Sequence, residues 1–426
     1  MLYKLWKQTL ARYADCVAVT DAASGERWTF ADLQSGLETL SPLPAGKVHC
    51  VSMQAGGRRF VLEVLRAWRD AAVLCPVEGE LPSLLSGAVF PTGICHVKLT
   101  SGSTGQPRCI LFTPSQLLAD VTQIKASMGL DIDCPNLAVV SLAHSYGFSN
   151  LILPLLLQGH PMVLVPDPMP SSKRQAHTLG NKYTLPAVPA MWRAWHQAGL
   201  LKGAPISLAI SAGAPLPLQL EKEIFADSGI KIHNFYGSSE CGGIAYDASQ
   251  QPRADGSYAG SALHGVTLSL ASDGCLVVQS AAAGQAYWPR ADALLGGSRF
   301  VTSDLVELTS EGVFMRGRMS DTINIAGRKL NPADVEAALL AFEGVRHCVV
   351  FGVPSADESR CEEAVACVNT SSGVKSEDLA RWIGERLPGW QRPRKYWIRE
   401  DLVPNARGKF SRAEWRGKFL QAGVNR

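Results

Sequence analysis

Apolar and polar positions along the first half of the chain repeat with two alternating periods. Short apolar runs bounded by turn residues predict β-strands, whereas the intervening segments, with apolar residues three and four apart, predict helices. Strands that alternate with helices are typical of a doubly wound α/β fold. The predicted strands are 17–20, 26–30, 48–53, 72–77, 96–100, 137–142, 162–165, 207–211 and 231–235, and the predicted helices are 1–16, a segment from 31 onward and 58–69.

The pattern changes twice in the second half of the chain. Between about residues 256 and 314, short alternating segments separated by glycine turns predict a small β-rich subdomain. From residue 331 onward, helical and strand patterns predict a compact α+β unit. We therefore predict a large N-terminal domain, residues 1–319, of doubly wound α/β layers plus the β-rich subdomain. A small mobile α+β C-terminal domain, residues 320–426, is predicted to follow it. The second-half strands are predicted at 267–270, 275–279, 348–353 and 364–368, and the helices near 332 and at 376–387.

The composition narrows the class of protein. The chain of 426 residues is long enough for several domains, and 41 basic against 38 acidic residues give no reason to expect nucleic-acid binding. Its most apolar stretch, 151–165, is broken by proline and polar residues, so no membrane span is expected. The N-terminus lacks the apolar block of a signal peptide, and the 11 cysteines never occur as CxxC. We therefore expect a cytoplasmic protein with reduced cysteines.

A loop rich in glycine, serine and threonine follows the strand predicted at 96–100. Glycines let the backbone turn tightly so that its N–H groups point inward, and the hydroxyl groups add further donors, which suits a polyphosphate. The loop is not a Walker loop, because no GK[ST] sequence follows it. By its composition alone, it would equally suit a flexible surface loop. Its candidate phosphate-binding residues are Thr100, Ser101, Gly102, Ser103, Thr104, Gly105 and Arg108.

This T-S-G-S-T-G-x-P-R sequence resembles the phosphate loop of the adenylate-forming superfamily, which includes acyl- and aryl-CoA ligases, luciferases and the adenylation domains of peptide synthetases. Further motifs of that family occur in the family's order over nearly the whole chain. The family pattern ends in Pro-Lys-Gly, whereas this chain has Arg108 and Cys109. Arginine keeps the positive charge, and Cys109 adds a side chain that is expected to alter the mobility of the loop.

Two motifs resemble the family's adenine and phosphate site. The segment 234–240 is similar to the YGxTE motif, which implies that Tyr236 stacks on adenine, Ser239 hydrogen-bonds the α-phosphate and Glu240 helps to hold Mg²⁺. A carboxylate suits that hard cation, although a single loop glutamate is more often simply solvated. The segment 211–215 resembles the family's adenine-lining turn. The other candidate nucleotide-binding residues of these motifs are Gly213, Ala214, Pro215 and Gly237.

Motifs further along the chain resemble the ribose site and the hinge of the family. Asp304 stands where the family's T-G-D aspartate accepts hydrogen bonds from the ribose, with Ser303 in place of glycine, and Arg318 should also reach the ribose. The family's hinge aspartate is replaced by Ser320, a small residue that can still act as a pivot. Gly327 lies in a loop that resembles the one that meets the pantetheine arm.

The segment 404–412 resembles the family's C-terminal PxTxxGKxxR motif, with Ala406 in place of threonine. The resemblance implies that Lys409 is the catalytic lysine. It would donate to the substrate carboxylate and to the bridging oxygen of the α-phosphate, which offsets charge in the transition state. Its place directly after Gly408 distinguishes it from an ordinary solvated lysine in a basic tail.

The implied reaction has two steps and uses ATP and Mg²⁺. A small carboxylic acid attacks the α-phosphorus and releases pyrophosphate. A thiol, from coenzyme A or from the phosphopantetheine of an acyl carrier protein, then displaces AMP. His144 resembles the acyl-pocket histidine of acyl- and aryl-CoA ligases, and the aspartate that binds an amino-acid substrate is missing. The apolar segment 187–192 favours an aromatic acid, and the early phosphate loop implies a shortened N-terminal domain.

The acceptor and two rival functions stay open at this point. The segment 385–418 carries ten basic and four acidic residues, which suits the phosphates of coenzyme A, an acidic carrier protein or merely a solvated surface. One rival is an enzyme that stops at the adenylate, although the hinge insertion of long-chain acyl-AMP ligases is absent. The other is a non-catalytic nucleotide-binding homologue, against which the retained Glu240, Asp304, Arg318 and Lys409 argue.

Overall fold

The structure, a computed structural model, describes residues 1–78, 85, 87–101, 107–165, 182–355, 361–371, 373–404 and 410–423. The chain divides into two compact units. The first comprises Met1–Ala271, Leu276–Thr302 and Leu308–Phe314, and the second comprises Ser272–Cys275, Ser303–Glu307 and Met315–Arg426. In the described ranges, no helix is both long and apolar enough to cross a membrane. All 11 cysteines are free thiols.

Helices and strands follow one another along the chain largely as the hydrophobic pattern predicts. The α-helices are α1 Leu2–Tyr13, α2 Phe30–Glu38, α3 Gly57–Arg69, α4 Pro114–Met128, α5 Ser145–Gly147, α6 Leu153–Gln158, α7 Pro189–Gln197, α8 Leu218–Ser228, α9 Pro332–Leu340, α10 Ser376–Gly384 and α11 Arg412–Gln421. Strands of the first half are β1 Val17–Asp21, β2 Arg27–Thr29, β3 Val48–Ser52, β4 Val73–Val77, β5 His96–Ser101, β6 Pro107–Phe112, β7 Asn136–Ala138, β8 Met162–Leu164, β9 Tyr183–Ala187 and β10 Ile206–Ser211. Those of the second half are β11 Ile232–Ser238, β12 Gly242–Tyr246, β13 Tyr258–Ala262, β14 Val266–Leu270, β15 Cys275–Ser280, β16 Ala286–Trp288, β17 Leu295–Gly296, β18 Arg299–Leu308, β19 Val313–Arg318, β20 Ile323–Ile325, β21 Arg328–Leu330, β22 Val345–Pro354, β23 Glu362–Thr370 and β24 Lys395–Ile398.

Two sheets support the first unit. The larger contains a parallel run in the order β11–β10–β9–β7–β8–β1, with β12 antiparallel beside β11 and β2 antiparallel beside β1. The smaller has the order β16–β6–β5–β4–β3, in which β3, β4 and β5 are parallel and β6 and β16 antiparallel to their neighbours. Because the carboxyl ends of parallel strands lie at one edge, the turns after β9, β10 and β11 are neighbours.

The predicted fold class, mixed α/β with a large N-terminal and a small C-terminal domain, is confirmed. One predicted strand, 137–142, is too long, because β7 ends at Ala138. There the backbone N–H of Val139 donates to the carbonyl of Leu137 at 3.0 Å, which turns the chain away from β8. The residues that follow lead into α5, which is capped by the predicted acyl-pocket histidine, His144.

The residues at the two ends of helix α4 show how the local sequence determines where a helix begins and ends. Pro114 occupies its first turn, where no backbone N–H is needed, and the Thr113 N–H is satisfied by the Gln116 side chain at 2.8 Å. The helix ends at Met128 and is followed by Gly129, whose φ of +61° suits glycine. Its buried face carries one charged residue, Asp120, which accepts a hydrogen bond from Ser149 at 2.5 Å.

Four buried charged residues form a chain of ion pairs near the turn after β10. Glu221, on α8, accepts hydrogen bonds from Lys231 and, at 2.7 Å, from Arg253, while Lys231 also donates to Asp247 at 2.6 Å. Arg253 further donates to the carbonyl of Leu216 at 2.7 Å. Two cations thus face two carboxylates, and their side chains are at most 6% exposed. Burial alone would raise the pKa of Asp247, but the hydrogen bonds from Lys231 and Ser249 lower it below its ordinary value.

The second unit contains a three-stranded sheet, β22–β23–β24, with apolar clusters on both faces. Alternate residues of β22 enter different clusters: Val350 packs with α9 and α10, and Val349 packs with α11. Arg412, at the start of α11, connects that helix to α9 and to the segment at Asp321. Its Nη2 donates to both carboxylate oxygens of Glu336 on α9, the nearer at 2.7 Å, and its Nη1 donates to Asp321 at 2.7 Å.

Glu63, on α3, is a buried carboxylate surrounded by cations. It pairs with His49 at 2.9 Å and with Arg66 at 3.1 Å, and it also pairs with Arg59. Burial acts to raise the pKa of Glu63, but hydrogen bonds from Arg66 and His49 and the charge of Arg59 outweigh burial and lower that pKa. A carboxyl with a lowered folded pKa stabilises the protein above the ordinary glutamate pKa of about 4.3, and that stabilisation is lost as the pH falls through the folded value.

We therefore expect Glu63→Gln to destabilise the protein more at about pH 5 than at about pH 2.5, because only the charged carboxylate gains from its cations. Urea unfolding of both proteins at the two pH values measures the difference. The control is Glu38→Gln, which changes an exposed carboxylate that, within the described part of the chain, accepts only from Gln34 at 2.8 Å. A Glu63→Gln penalty that is equal at both pH values would contradict the expectation.

Candidate active site

The two arms of the glycine-rich loop form an antiparallel pair. Thr100, at the end of β5, lies opposite Arg108 on β6, and the Thr100 hydroxyl donates to the Arg108 carbonyl at 3.5 Å. The loop between the arms, residues 102–106 with Gly102, Ser103, Thr104 and Gly105, lies outside the described residues. Ser101 is the last residue of β5. The predicted phosphate loop therefore connects the paired ends of β5 and β6.

Arg108, the residue that replaces the family's lysine, has its guanidinium engaged by an acidic residue and by an aromatic ring. It donates to Asp292 at 3.1 Å, and its Cζ lies 3.8 Å from the ring centroid of Tyr287. The backbone N–H of Leu294 and Arg108 both donate to Asp292, which lowers the pKa of that carboxyl. The positive charge kept by arginine is thus held in place by an ion pair and an aromatic ring.

Cys109, the other departure in this motif, points to the opposite face of the strand. Its side chain is fully buried in the apolar cluster that includes Val97 and Leu111. Burial raises the pKa of the Cys109 thiol to about 11. The thiol is therefore protonated and packed in the sheet, away from the face that carries Arg108.

The predicted α-phosphate and metal residues lie just after β11 and contact two other segments. The hydroxyls of Ser239 and Ser145 are 3.0 Å apart, so the structure joins the adenine motif to the histidine motif. Glu240 Oε1 accepts a hydrogen bond from the Tyr287 hydroxyl at 3.1 Å. Tyr236, on the same strand, is half-buried, and the next residue, Gly237, is exposed.

His144 caps the short helix α5. Its Nδ1 accepts a hydrogen bond from the Tyr146 N–H at 3.3 Å, which places the ring proton of a neutral His144 on Nε2. Tyr146 is buried, and its hydroxyl lies 3.5 Å from the carbonyl of Ile210 near the end of β10. These contacts position the histidine segment against the same strand ends as the adenine turn.

The predicted adenine-lining turn, Gly213, Ala214 and Pro215, begins two residues after β10 ends at Ser211. Gly213 has a φ of +84°, a conformation that favours glycine, and a Cβ there would lie 3.4 Å from Val188. The carbonyl of Leu216, directly after the turn, is held by the buried Arg253. A left-handed glycine and a buried cation therefore set the path of this turn.

The predicted ribose residues belong to the second unit and pair with each other. Arg318 donates from Nε to Asp304 Oδ1 at 2.7 Å, and Asp304 is buried. In the predicted pantetheine loop, Gly327 has a φ of +80°, and its N–H donates to Asn324 at 3.0 Å. The predicted catalytic lysine, Lys409, lies outside the described residues.

Within the described residues, no group of three or more His, Cys, Asp or Glu is arranged to hold a metal ion. Glu240 is instead a single half-buried carboxylate with one oxygen engaged by Tyr287. Mg²⁺ is commonly held by one or two protein carboxylates together with substrate phosphates. The residues present therefore fit a magnesium ion that arrives with ATP, and they do not form a resident metal cage.

Sequence reasoning missed four residues around this site: Tyr287, Asp292, Lys98 and Asp120. Lys98 is buried on β5, and its Nζ lies 4.6 Å from the Phe112 ring centroid. Burial lowers the pKa of Lys98, and the charges of Asp120 and Glu240 oppose that effect. No local motif marks these residues, because their contacts join segments that lie apart in the sequence, such as Tyr287 with Glu240 and Asp292 with Arg108.

A separate crevice of about 160 Å³ lies at the carboxyl ends of β1, β7 and β8. Asp21, Ala138 and Leu164 are among its lining residues. None of the predicted site residues that the structure describes lines it. The candidate active site is therefore placed at the ends of β9, β10 and β11, beside the β5–β6 hairpin.

Comparisons with known proteins show which family the chain belongs to. The chain matches the family models for the AMP-binding enzyme over residues 86–286 and for the AMP-binding enzyme C-terminal domain over residues 334–409. It is 27% identical over 391 residues to a feruloyl-CoA synthase from Amycolatopsis sp, covering 87% of this chain and 77% of that protein. It is 22% identical over 333 residues to a 3,4-dihydroxybenzoate–[aryl-carrier protein] ligase from Bacillus anthracis, covering 77% of this chain and 73% of that one.

A solved structure gives the same picture of the fold. ATP-bound MatB from Rhodopseudomonas palustris matches with a TM-score of 0.85 at 17% identity, over 100% of both chains. The two family models together match more than half of this chain. The chain belongs to the adenylate-forming superfamily of AMP-binding enzymes.

Proposed function

We propose that this chain is an ATP-dependent carboxylate–coenzyme A ligase, which activates a carboxylic acid as its acyl-adenylate and transfers the acyl group to a thiol. The observation that carries the proposal is the chain of contacts from Arg108 through Tyr287 to Glu240, next to Ser239. A fixed cation, a hydroxyl and a carboxylate with a free side are the groups that a magnesium-bound triphosphate needs.

In the first step, an oxygen of the acid bonds to the α-phosphorus of ATP as the bond to pyrophosphate breaks. Glu240 would hold the magnesium ion, which supplies positive charge to the phosphates. Ser239 donates to the α-phosphate, Arg108 faces the departing phosphates, and Lys409 donates to the reacting oxygens. Positioning and electrostatic stabilisation thus provide the acceleration.

In the second step, the sulfur of the thiol bonds to the acyl carbon, its proton passes to solvent, and AMP leaves. The proposal includes a division into an N-terminal domain, residues 1–319, and a mobile C-terminal domain, residues 320–426. The two steps require Lys409 and the loop at Gly327 in turn, so the domain that carries both has to move between them. Asp304, Arg318, Tyr236 and the turn at Gly213 bind the nucleotide in this scheme.

We further propose an aromatic acid as substrate and coenzyme A as acceptor. Two relatives are named for aromatic acids, ferulate and 3,4-dihydroxybenzoate. The first is named for coenzyme A and the second for an aryl-carrier protein, so a carrier protein is the second candidate acceptor. The proposed acyl-pocket segment contributes His144, with its proton on Nε2, and the buried Tyr146.

The test is acid-dependent ATP–pyrophosphate exchange over benzoates, cinnamates, fatty acids and amino acids. We expect exchange with aromatic acids, and a loss of about 100-fold in Lys409→Ala because one transition-state donor is removed. Adding coenzyme A or a phosphopantetheinylated carrier to the active pair, with detection of the thioester, identifies the acceptor.

Three outcomes would contradict parts of this proposal. Exchange with fatty or amino acids alone would overturn the aromatic substrate. Exchange without a thioester from either thiol would favour an enzyme that stops at the adenylate. Folded protein that binds ATP but exchanges with no acid would favour the non-catalytic homologue.

A further inference from the structure

The segment from Gly284 to Tyr287 holds Glu240 at two atoms. The N–H of Gly284 donates to the backbone carbonyl of Glu240 at 2.7 Å, and the Tyr287 hydroxyl donates to Oε1 of its carboxylate at 3.1 Å. Between these points, the N–H of Gln285 donates to the carbonyl of Leu111 at 2.7 Å. Glu240 is therefore tied by backbone and side chain to a segment that is itself anchored to β6. We call residues 284–287 the clamp.

Glycine is required at the start of the clamp. A Cβ at Gly284 would lie 2.7 Å from Cγ2 of Ile110 and 3.3 Å from the Glu240 carbonyl oxygen. Contacts as short as the one to Ile110 would force the neighbouring atoms to move. The approach of the clamp to Glu240 therefore depends on the missing side chain.

The end of the clamp is fixed by strand pairing. Tyr287 lies opposite Ile110 in the β6–β16 ladder, and Lys98 lies opposite Ile110 in the β5–β6 ladder. Residues directly opposite in a ladder share one face of the sheet, so Lys98, Ile110 and Tyr287 form a row facing one side. The Tyr287 ring also lies against the guanidinium of Arg108, and its side chain is buried.

The donor and the acceptor can be assigned in the hydrogen bond between Tyr287 and Glu240. A charged carboxylate only accepts, so the Tyr287 hydroxyl must be the donor. Among the described residues, no hydrogen bond engages the second carboxylate oxygen, Oε2. The hydroxyl thus fixes the rotation of the carboxylate and leaves Oε2 available.

We propose that Tyr287 is a positioning residue for adenylation, which orients the Glu240 carboxylate toward the magnesium ion of MgATP and couples that carboxylate to Arg108 at the phosphate loop. The proposal rests on the proposed function, because that function assigns the ion to Glu240. Groups that orient a metal ligand typically contribute about 10-fold to 100-fold in metal affinity or activity.

The test compares ATP binding with and without Mg²⁺ by isothermal titration calorimetry of the full chain. We expect Tyr287→Phe to bind metal-free ATP as the unmodified protein does. The increase in ATP affinity on adding Mg²⁺ should be about 10-fold smaller in the variant. In exchange assays the same variant should need about 10-fold more Mg²⁺ for half-maximal rate. The matched control is Tyr183→Phe, which removes a hydroxyl from another buried tyrosine of the first unit.

A double variant separates positioning from a general structural effect. In a Glu240→Gln background the carboxylate charge is gone, so adding Tyr287→Phe should not reduce the magnesium effect further. If the double variant shows the sum of the two single-variant losses in the magnesium effect, the proposal is overturned. It is also overturned if Tyr287→Phe leaves the magnesium effect unchanged. If the unmodified protein binds ATP with no magnesium effect, the assignment of the ion to Glu240 fails, and the positioning role fails with it.

Discussion

Glu221→Ala is expected to lower the free energy of unfolding by about 3–5 kcal/mol, the usual cost of removing one partner from a buried ion pair. The Glu221 side chain is fully buried between Lys231 and Arg253. Its removal leaves two cations facing one carboxylate, Asp247, in a site that water does not reach. The expected loss is therefore mainly the cost of an uncompensated buried charge.

The same substitution should also affect the active site. Arg253 holds the Leu216 carbonyl next to the adenine-lining turn, and Glu221 Oε1 accepts from the Arg253 N–H at 3.1 Å. Without Glu221, the residue that anchors the turn loses two of its hydrogen bonds, since its Nε also donates to Glu221. We expect weaker ATP binding in the fraction that stays folded.

Urea unfolding measures the stability loss, and Glu223→Ala is the matched control on the same helix. Glu223 is exposed and, among the residues that the structure describes, accepts only from Gln219 at 2.9 Å, so its removal should change the free energy of unfolding by no more than about 0.5 kcal/mol. A Glu221→Ala loss within the range of that control would show that the buried network contributes little to stability.

Glu240→Gln is expected to reduce ATP–pyrophosphate exchange by about 100-fold or more at saturating ATP. The amide keeps the shape of the side chain and can still accept from Tyr287, but it has no charge for the cation. A metal contact supplies several kcal/mol to a phosphoryl transfer, and each 1.36 kcal/mol corresponds to about tenfold in rate.

The exchange rate should be followed over a range of Mg²⁺ concentrations, since a weakened metal site is partly rescued by excess metal. Glu223→Gln, remote from the site on α8, is the control and should behave as the unmodified protein. An exchange rate for Glu240→Gln within about threefold of the unmodified protein would remove Glu240 from the proposed metal site.

The departures from the family pattern have different consequences in the structure. Arg108 replaces a lysine, and its planar guanidinium both stacks on Tyr287 and pairs with Asp292, which a lysine ammonium cannot do with the same geometry. Cys109 is absorbed into the apolar face of the sheet. The first departure therefore extends the site, whereas the second belongs to the core.

The sequence by itself determined the order of the elements, the α/β class and the candidate residues from Thr100 to Lys409. Those features depend on local information: the spacing of apolar residues, the turn residues between them and motifs of contiguous residues. The family membership inferred from those motifs is confirmed. The roles given to the individual site residues stay predictions.

Only the tertiary structure decided which distant residues complete the site. Tyr287 meets Glu240 across 47 positions and Asp292 meets Arg108 across 184, because β16 pairs with β6 in the smaller sheet. The Glu221 network likewise joins helix α8 to Lys231, Asp247 and Arg253, which all lie outside helices and strands. Such contacts depend on which strands pair and on which charges are buried together. Sequence analysis misses them because no short segment of the chain encodes either the strand pairing or the shared burial.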